Sequence, residues 1–540
     1  MRSPDAPALV DATLSASMPE RSALRLWLCC LAALVPAAGF ARRYPLRGHT
    51  RELTDIGKLA HYHRAEFWGF SGGLLLLFAL YALAIRETTK LPARAALPPV
   101  LICGALAVAV FAAMYPVNAI DLFIYAVRSR LWTKYGENPI AVIPRAHALD
   151  SWRPFASEWG KDVSPYGPLW NWIAASATRI SGDNLGRALA LLKGLAAVSI
   201  VLDACLVAAV AARLRAGRQA TAAALFALNP MVHWEGAGNG HNDVVMMLPV
   251  LLALLLWARR RFGWVVPLLV CAALIKYVAL LLIPLALVAI WRQSPPGRPR
   301  LIVALQSLAG SLAATLFALA PFFDVGAIRR SVEAQGKIVM SSPTAMAIGL
   351  WRGSYPVATI EHWSHVVGTS LFAAAFAVQI ALTWRRPERL PRACVEVLFA
   401  YLLFGAWTFR NWYVLWLIPL VALLPLGWAA ARTVTWSLTA LAFYGLFIWG
   451  WEWWKVDFYK IQNVAVAMTF GPPLRLSGCE VVATLRRARA ERARRTAPSL
   501  ASLPLPPEVR GEGGRGVGGV DASCRPEVQL LRPGAGRLRE

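Results

Sequence analysis

Residues Pro98–Tyr125 read PPVLICGALAVAVFAAMYPVNAIDLFIY. From Pro98 to Val117 the run holds no charged residue, and a helix of that length crosses the hydrocarbon core of a bilayer. Apolar and polar residues do not alternate along it, which argues against a barrel strand. The run stops at Asn118, and a single carboxylate, Asp121, follows where such a helix would leave the membrane. A charge at that depth needs a cavity, a partner or the interface.

The same pattern repeats on both sides. A sliding apolar window gives about thirteen spans. They begin with Leu24–Phe40 and Phe67–Ile85 and continue through Gly186–Ala212, Gln219–His233, Val244–Trp257, Gly263–Leu274, Val278–Trp291, Leu301–Phe323, Val366–Trp384 and Ala393–Trp407 to Tyr413–Ala430 and Val434–Trp449. A weaker run, Ile461–Phe470, reads as a further span or a re-entrant segment. The sequence therefore predicts an all-α, polytopic transmembrane helix bundle. With 57% apolar and only 16% charged residues among 540, the chain does not have the composition of a soluble protein.

The formal charge of +26 has the same origin. Basic clusters such as Arg213, Arg215 and Arg218, Arg259–Arg261, and Arg292, Arg298 and Arg300 sit in short loops on one side, as the positive-inside rule requires. No basic face exists outside these loops and the tail, so nucleic acid is not an expected partner. The expected organisation is a cytoplasmic segment 1–23, a membrane domain 24–477, and a basic, Pro/Gly-rich, disordered cytoplasmic tail 478–540. The outer side, made of the large loops 118–185 and 324–365 and several shorter turns, holds nearly all the loop acids before the tail and many tryptophans, which puts any chemistry on the extracytoplasmic face of a multi-pass inner-membrane protein. One loop breaks the charge rule. Residues 41–66 would lie outside yet carry Arg42, Arg43, Arg47, Arg51, Lys58 and Arg64, so either that loop folds or the first span is misassigned. The eight cysteines show neither zinc-site nor disulfide spacing.

Four groups of residues invite chemistry. Asp121 reads either as a general base for a hydroxyl nucleophile or as a helix N-cap. Ser164-Pro165-Tyr166-Gly167-Pro168 is a turn leading into a Trp-containing stretch that suits an interfacial helix. Asn229-Pro230 and then His233-Trp234-Glu235-Gly236-Ala237-Gly238-Asn239-Gly240-His241-Asn242-Asp243 pack two histidines and two acids into an outer turn. There His241 and Asp243 are candidates to hold a metal or a sugar hydroxyl, or the turn caps the next helix through Asn242 or Asp243. Finally Lys276, Arg352 and Arg410 are cations that either hold a lipid phosphate or snorkel to the interface. Lys276 interrupts an apolar stretch that reads as two short helices.

Taken in order, Asp121, Tyr166-Gly167-Pro168, Asn229-Pro230, Gly240-His241-Asn242-Asp243, Lys276 with Pro284, and Asn411-Trp412-Tyr413 with Trp416 and Pro419 resemble the GT-C superfamily of membrane glycosyltransferases. The likeness is nearest to bacterial polyprenol-phosphomannose-dependent mannosyltransferases and covers about Pro98 to Trp454. It differs in one respect: Asp121 has no adjacent acid where many GT-C enzymes carry a pair. The resemblance implies inverting transfer of a sugar, mannose by this likeness, from a polyprenyl-phosphate donor to a glycan or glycolipid acceptor. It implies Asp121 as base, with Lys276, Arg352 and Arg410 toward the phosphate. Tyr166, Glu235, His241, Asn242, Asp243 and Trp412 would orient substrates. A divalent cation, Mg or Mn, has His241 and Asp243 as its candidate ligands, and membrane lipids are the other expected partners. The competing class is a transporter or lipid-linked-sugar flippase, to which Lys193 and Asp203 inside the fourth span would contribute.

Overall fold

Among the described residues, seven helices are long and apolar enough to cross a membrane, and a bent pair could supply an eighth. The computed structural model describes residues 6–51, 53–335 and 338–496. No strand occurs among them, only two isolated bridges, Pro45 to Met114 and Met340 to Thr408. The protein is an all-α membrane bundle. Its contacts divide it into a unit Met1–Val482 and a second, Ala483–Glu540, of which only helix is described. Most of the expected tail, residues 497–540, lies outside the described residues, as do residues 1–5 of the N-terminal segment.

The long helices begin with α1 (Ala6–Arg43), which packs against both α2 (Arg64–Thr88) and α3 (Ala93–Ala112); then come the shorter α4 (Asp121–Tyr135) and α5 (Pro168–Ser181) within the first large loop, and α6 (Leu185–Leu214). There follow α7 (Asp243–Ala258), α8 (Val265–Ile275), α9 (Ile283–Gln293), α10 (Arg298–Leu319), α11 (Val357–Arg385), α12 (Leu390–Ala400), α13 (Trp428–Trp454) and α14 (Phe458–Thr496). α10 and α11 are exposed over most of their length, as apolar helices facing lipid would be, while α6 and α13 are half buried in the bundle. α3 starts five residues before the expected span because Pro98 and Pro99 are carried inside the helix. Neighbouring helices make such proline tolerable in a bilayer.

Several apolar runs are not single helices. Gln219–His233 becomes a nine-residue helix, Gln219–Ala227, followed by a wide turn of π-helix, Val232–Gly238. That turn and α7 are bent by 112°. Tyr413–Ala430, expected as one span, is a 3-10 turn Asn411–Trp416, a five-residue helix Ile418–Ala422 and a reversal before α13. Pro419, Pro425 and Gly427 explain it: hydropathy measures depth and is blind to breakers. The anomalous loop 41–66 is folded, with short helices Leu46–His49 and Ile56–Leu59. The Leu46 amide donates to the Ala113 carbonyl and the Ile56 amide to the Val117 carbonyl, so the loop braces the chain entering Asp121. Arg43 pairs with Glu66 at 3.0 Å.

α12, α13 and α14 are joined by four charges. Glu396 accepts from Arg392 and Arg432 at 2.6 Å each, and Glu480 accepts from the same two arginines. Arg432 is buried, with its guanidinium 4.1 Å over the Phe399 ring. Removing one acid leaves two arginines on the other. Glu396→Gln is expected to cost about 1–3 kcal/mol, discounted because the glutamates are partly exposed. A thermal unfolding scan of the detergent-purified protein checks this, and an unchanged midpoint would mean the cluster does not hold the helices.

Candidate active site

α4 carries Asp121, Tyr125 and Arg128 at spacings of four and three, which puts them on one face. Asp121 opens the helix but does not cap it. Its carboxylate instead accepts a 2.6 Å hydrogen bond from the Tyr166 hydroxyl. Asp121 is half-buried, whereas Tyr166 is buried. Burial first, and the charge of Asp121 next, push the Tyr166 hydroxyl well above its usual range, so it keeps the proton it donates. Arg128 is buried on the same face, and its guanidinium donates to the carbonyls of Trp159 and Asp162 at 3.3 Å each. Burial lowers its pKa, and the nearby Tyr166 and Asp121 oppose that shift. The Tyr125 ring meets the Tyr166 ring edge-on at 5.0 Å.

The Tyr-Gly-Pro turn is wedged against a break in the bundle. The Gly167 amide donates to the Ile275 carbonyl at 3.1 Å, and a Cβ at 167 would overlap the Leu274 carbonyl. Only glycine permits that approach. At the break, Lys276 is extended between α8 and the 3-10 turn Tyr277–Leu282, as expected for a lysine interrupting an apolar stretch. Its ammonium donates to Asp243 at 2.6 Å and lies 5.2 Å and 5.5 Å from the Tyr413 and Trp416 ring centres. The Trp416 indole donates to the same Asp243 oxygen.

Glu235 ties these parts together. It is fully buried and accepts from the side-chain amides of Asn118 at 2.8 Å, Asn239 at 2.7 Å and Asn411 at 2.6 Å. The Asn118 backbone amide in turn donates to the Asn239 side-chain oxygen at 3.1 Å. Lys193 donates to the carbonyls of Met114, at 2.5 Å, and Gly238. Gly240 then turns at a φ of 71°, against Leu122 and Lys193, where a Cβ would collide with Leu122. The turn expected at the outer rim is therefore buried. His241 stacks on Trp412 at 4.0 Å, with its Nε2 3.3 Å from Glu235 in poor alignment and both ring nitrogens without a hydrogen-bond partner. Asn242 precedes α7 without capping it, and its side-chain oxygen and nitrogen, like the second Asp243 oxygen, are buried and unpartnered. The Asn242 backbone amide donates to the Tyr125 hydroxyl at 3.4 Å.

The structure thus brings Asp121, Tyr166, His241, Asn242, Asp243 and Lys276 to one region. The charges of Asp121 and Asp243 both act on Tyr125 and on Tyr413. Arg410 also acts on Tyr413, and its guanidinium lies 5.8 Å over Trp412 and 3.1 Å from the Met340 sulfur. Arg352 makes its described contacts elsewhere, with Asp457 at 2.8 Å and over the Tyr459 ring. Glu235 reaches no open space, so it can orient a substrate only through the residues it holds. Sequence alone does not mark Asn118, Tyr125, Arg128, Lys193, Asn239 and Asn411 as site residues, although the helical spacing of Asp121, Tyr125 and Arg128 is legible in it. At the His241–Asp243 pair, Lys276 and Trp416 hold one Asp243 oxygen, while the second oxygen and both His241 ring nitrogens are without hydrogen-bond partners. Among the described residues no group of three or more His, Cys, Asp or Glu stands together as a metal site.

Replacing Glu235 by glutamine turns an amide toward three amide donors. Glu235→Gln is expected to cost about 2–4 kcal/mol, more than a neutral hydrogen bond. A thermal scan checks this. A variant as stable as the parent would show that the three asparagines do not depend on that charge.

Residues 25–292 match the model of the MptA_B family, described as alpha-(1->6)-mannopyranosyltransferase, N-terminal domain. A stretch of 127 residues is 28% identical to the alpha-(1->6)-mannopyranosyltransferase A of Corynebacterium glutamicum. It covers 24% of this chain and 26% of that protein, so the match spans about a quarter of the relative's length. Asp121, Tyr166, Glu235, His241, Asp243 and Lys276 fall inside the family match, and Arg410 and Trp412 lie beyond it. Over residues 25–292, just under half of its length, this chain is therefore similar to the MptA_B family of alpha-(1->6)-mannopyranosyltransferases.

Proposed function

We propose that this protein transfers a mannosyl residue from a polyprenyl-phosphate donor to a hydroxyl of a glycan or glycolipid on the extracytoplasmic side of the inner membrane, with inversion. The observation that carries the reading is the meeting of a half-buried carboxylate, Asp121, with the Asp243–Lys276 pair around Tyr125 and Tyr413.

In this reaction the acceptor hydroxyl attacks the anomeric carbon and gives its proton to Asp121. The new oxygen–carbon bond forms on one face while the bond to the phosphate oxygen breaks on the other. Tyr166 occupies one carboxylate oxygen and leaves the second for the acceptor. The departing polyprenyl phosphate gains negative charge, and Lys276 and Arg410 are the cations that would meet it. Such fixed charges are often the largest catalytic term. Lys276 keeps donors beyond the one given to Asp243, since an ammonium has three. The basic clusters at the far ends of the helices support an orientation with Asp121 outside.

The transporter reading loses one of its two supports, because Lys193 spends its ammonium on two carbonyls that shape the site. Asp203, buried with neither oxygen partnered, is the other.

The test is transfer from labelled polyprenyl-phosphate mannose to an acceptor lipid extract by the purified chain. Asp121→Asn is expected to lower the rate by about 10²–10⁴ while the protein remains folded, as loss of a general base does. Near-normal transfer by that variant removes Asp121 from the mechanism. Movement of labelled donor between leaflets without product formation would favour the flippase. Tyr166→Phe keeps the ring and loses the donor; a drop in kcat of about tenfold or more is expected from loss of a hydrogen bond to a charged group. An unchanged kcat would mean the phenol does not position the carboxylate.

A further inference from the structure

At the end of the bundle remote from Asp121 a groove of about 360 Å³ runs between α8, α9 and α10. Its walls are mostly apolar, formed by residues such as Val270, Ile290 and Leu308 with the Ser307 and Ser311 hydroxyls among them, and Trp291 and Leu308 at its edge are exposed. One end is polar. Ser294 is buried there with its hydroxyl unpartnered, and the Nε of Arg300 is likewise buried and unpartnered. Arg300 is fixed by a 2.8 Å bond to the Ser294 carbonyl and lies 4.4 Å from the Trp291 ring centre. No acid occurs between Lys276 and Phe323, and no described salt bridge engages Arg292, Arg298 or Arg300. The polar end therefore carries uncompensated positive charge next to buried donors.

That combination fits a chain with an anionic head. From Arg300 to Ser311 the wall of α10 runs on the order of 16 Å, enough for much of one acyl chain. We propose that this groove binds one anionic phospholipid of the bilayer, its phosphate at Ser294 and Arg300 and an acyl chain along α10. The donor's own phosphate is a poor occupant. Ser294 is eighteen residues beyond Lys276, roughly 25 Å along the α9 stretch, so the two ends face different leaflets. Positive charge at this end matches the anionic cytoplasmic leaflet. The bound lipid would hold α10 against α8 and α9, and the α9 stretch begins at Lys276.

Native mass spectrometry of the full chain, released from nanodiscs of mixed phosphatidylglycerol and phosphatidylcholine, tests the site. One retained phosphatidylglycerol is expected on the parent protein. Arg300→Gln removes the charge, and Ala304→Trp fills the groove while sparing Arg300; each is expected to weaken retention by about tenfold or more. Ser294→Ala, the mildest change, should weaken it measurably even if either larger substitution disturbs folding. Equal retention of phosphatidylcholine, or parent-like retention of phosphatidylglycerol by folded variants, overturns the proposal. Displacement of that lipid by polyprenyl phosphate at equal concentration would assign the groove to the donor's chain and overturn it as well.

Discussion

A carboxylate sealed inside a lipid-embedded bundle has no water to turn to. Glu235 must find its hydrogen-bond donors within the chain, or its charge would be too costly to keep. The donors it has come from three places far apart in sequence: Asn118 beside the start of α4, Asn239 beside His241, and Asn411 between Arg410 and Trp412. Each is the neighbour of a residue that could touch substrate. Satisfying one buried charge therefore also sets the spacing between the candidate base, the His-Asn-Asp segment and the aromatic wall. Lys193 works in the same way from the opposite sign, gathering carbonyls on both sides of the same junction.

Several of the candidate side chains stand where helices break. Val232–Gly238 widens and bends into α7, Lys276 interrupts α8 and the stretch leading to α9, and the chain is unwound before Asn411. Broken helices expose amides and carbonyls, which lipid does not tolerate but a packed interior does. Gly167 shows how closely that interior must fit, with its amide bonded to the Ile275 carbonyl at the Lys276 break. The first large loop is thus part of the bundle rather than a cover over it.

This division sets what the sequence makes legible. Long apolar runs without alternation announce the helical bundle, and a lysine inside such a run announces the break at 276. The same window misreads Tyr413–Ala430, because an irregular segment buried in protein is as apolar as a helix facing lipid. Asp121 is conspicuous as an acid at the end of a span. Tyr166 reads as part of a turn, since nothing local says its hydroxyl will meet a carboxylate forty-five positions earlier. Arg128 was available from its helical spacing to Asp121. Glu235 reads as one of several polar groups in a turn; that it is the buried one depends on Asn118 and Asn411, more than a hundred residues away in either direction.

The charges also suggest why Lys276 comes with its own counter-ion. Under the proposed reaction, a bare lysine in this pocket would hold a polyprenyl phosphate tightly before and after transfer. Binding that is equally strong in the ground state and in the transition state adds nothing to the chemical step. Asp243 offsets that attraction, while the rings of Tyr413 and Trp416 keep the ammonium in place whether or not a phosphate is near. As the glycosidic bond lengthens and negative charge builds on the departing oxygen, the same ammonium, already fixed and needing no reorganisation, gains more than it did from the intact donor. A neutralised, aromatically held cation is in this sense better suited to a charge that develops than to one that is already there.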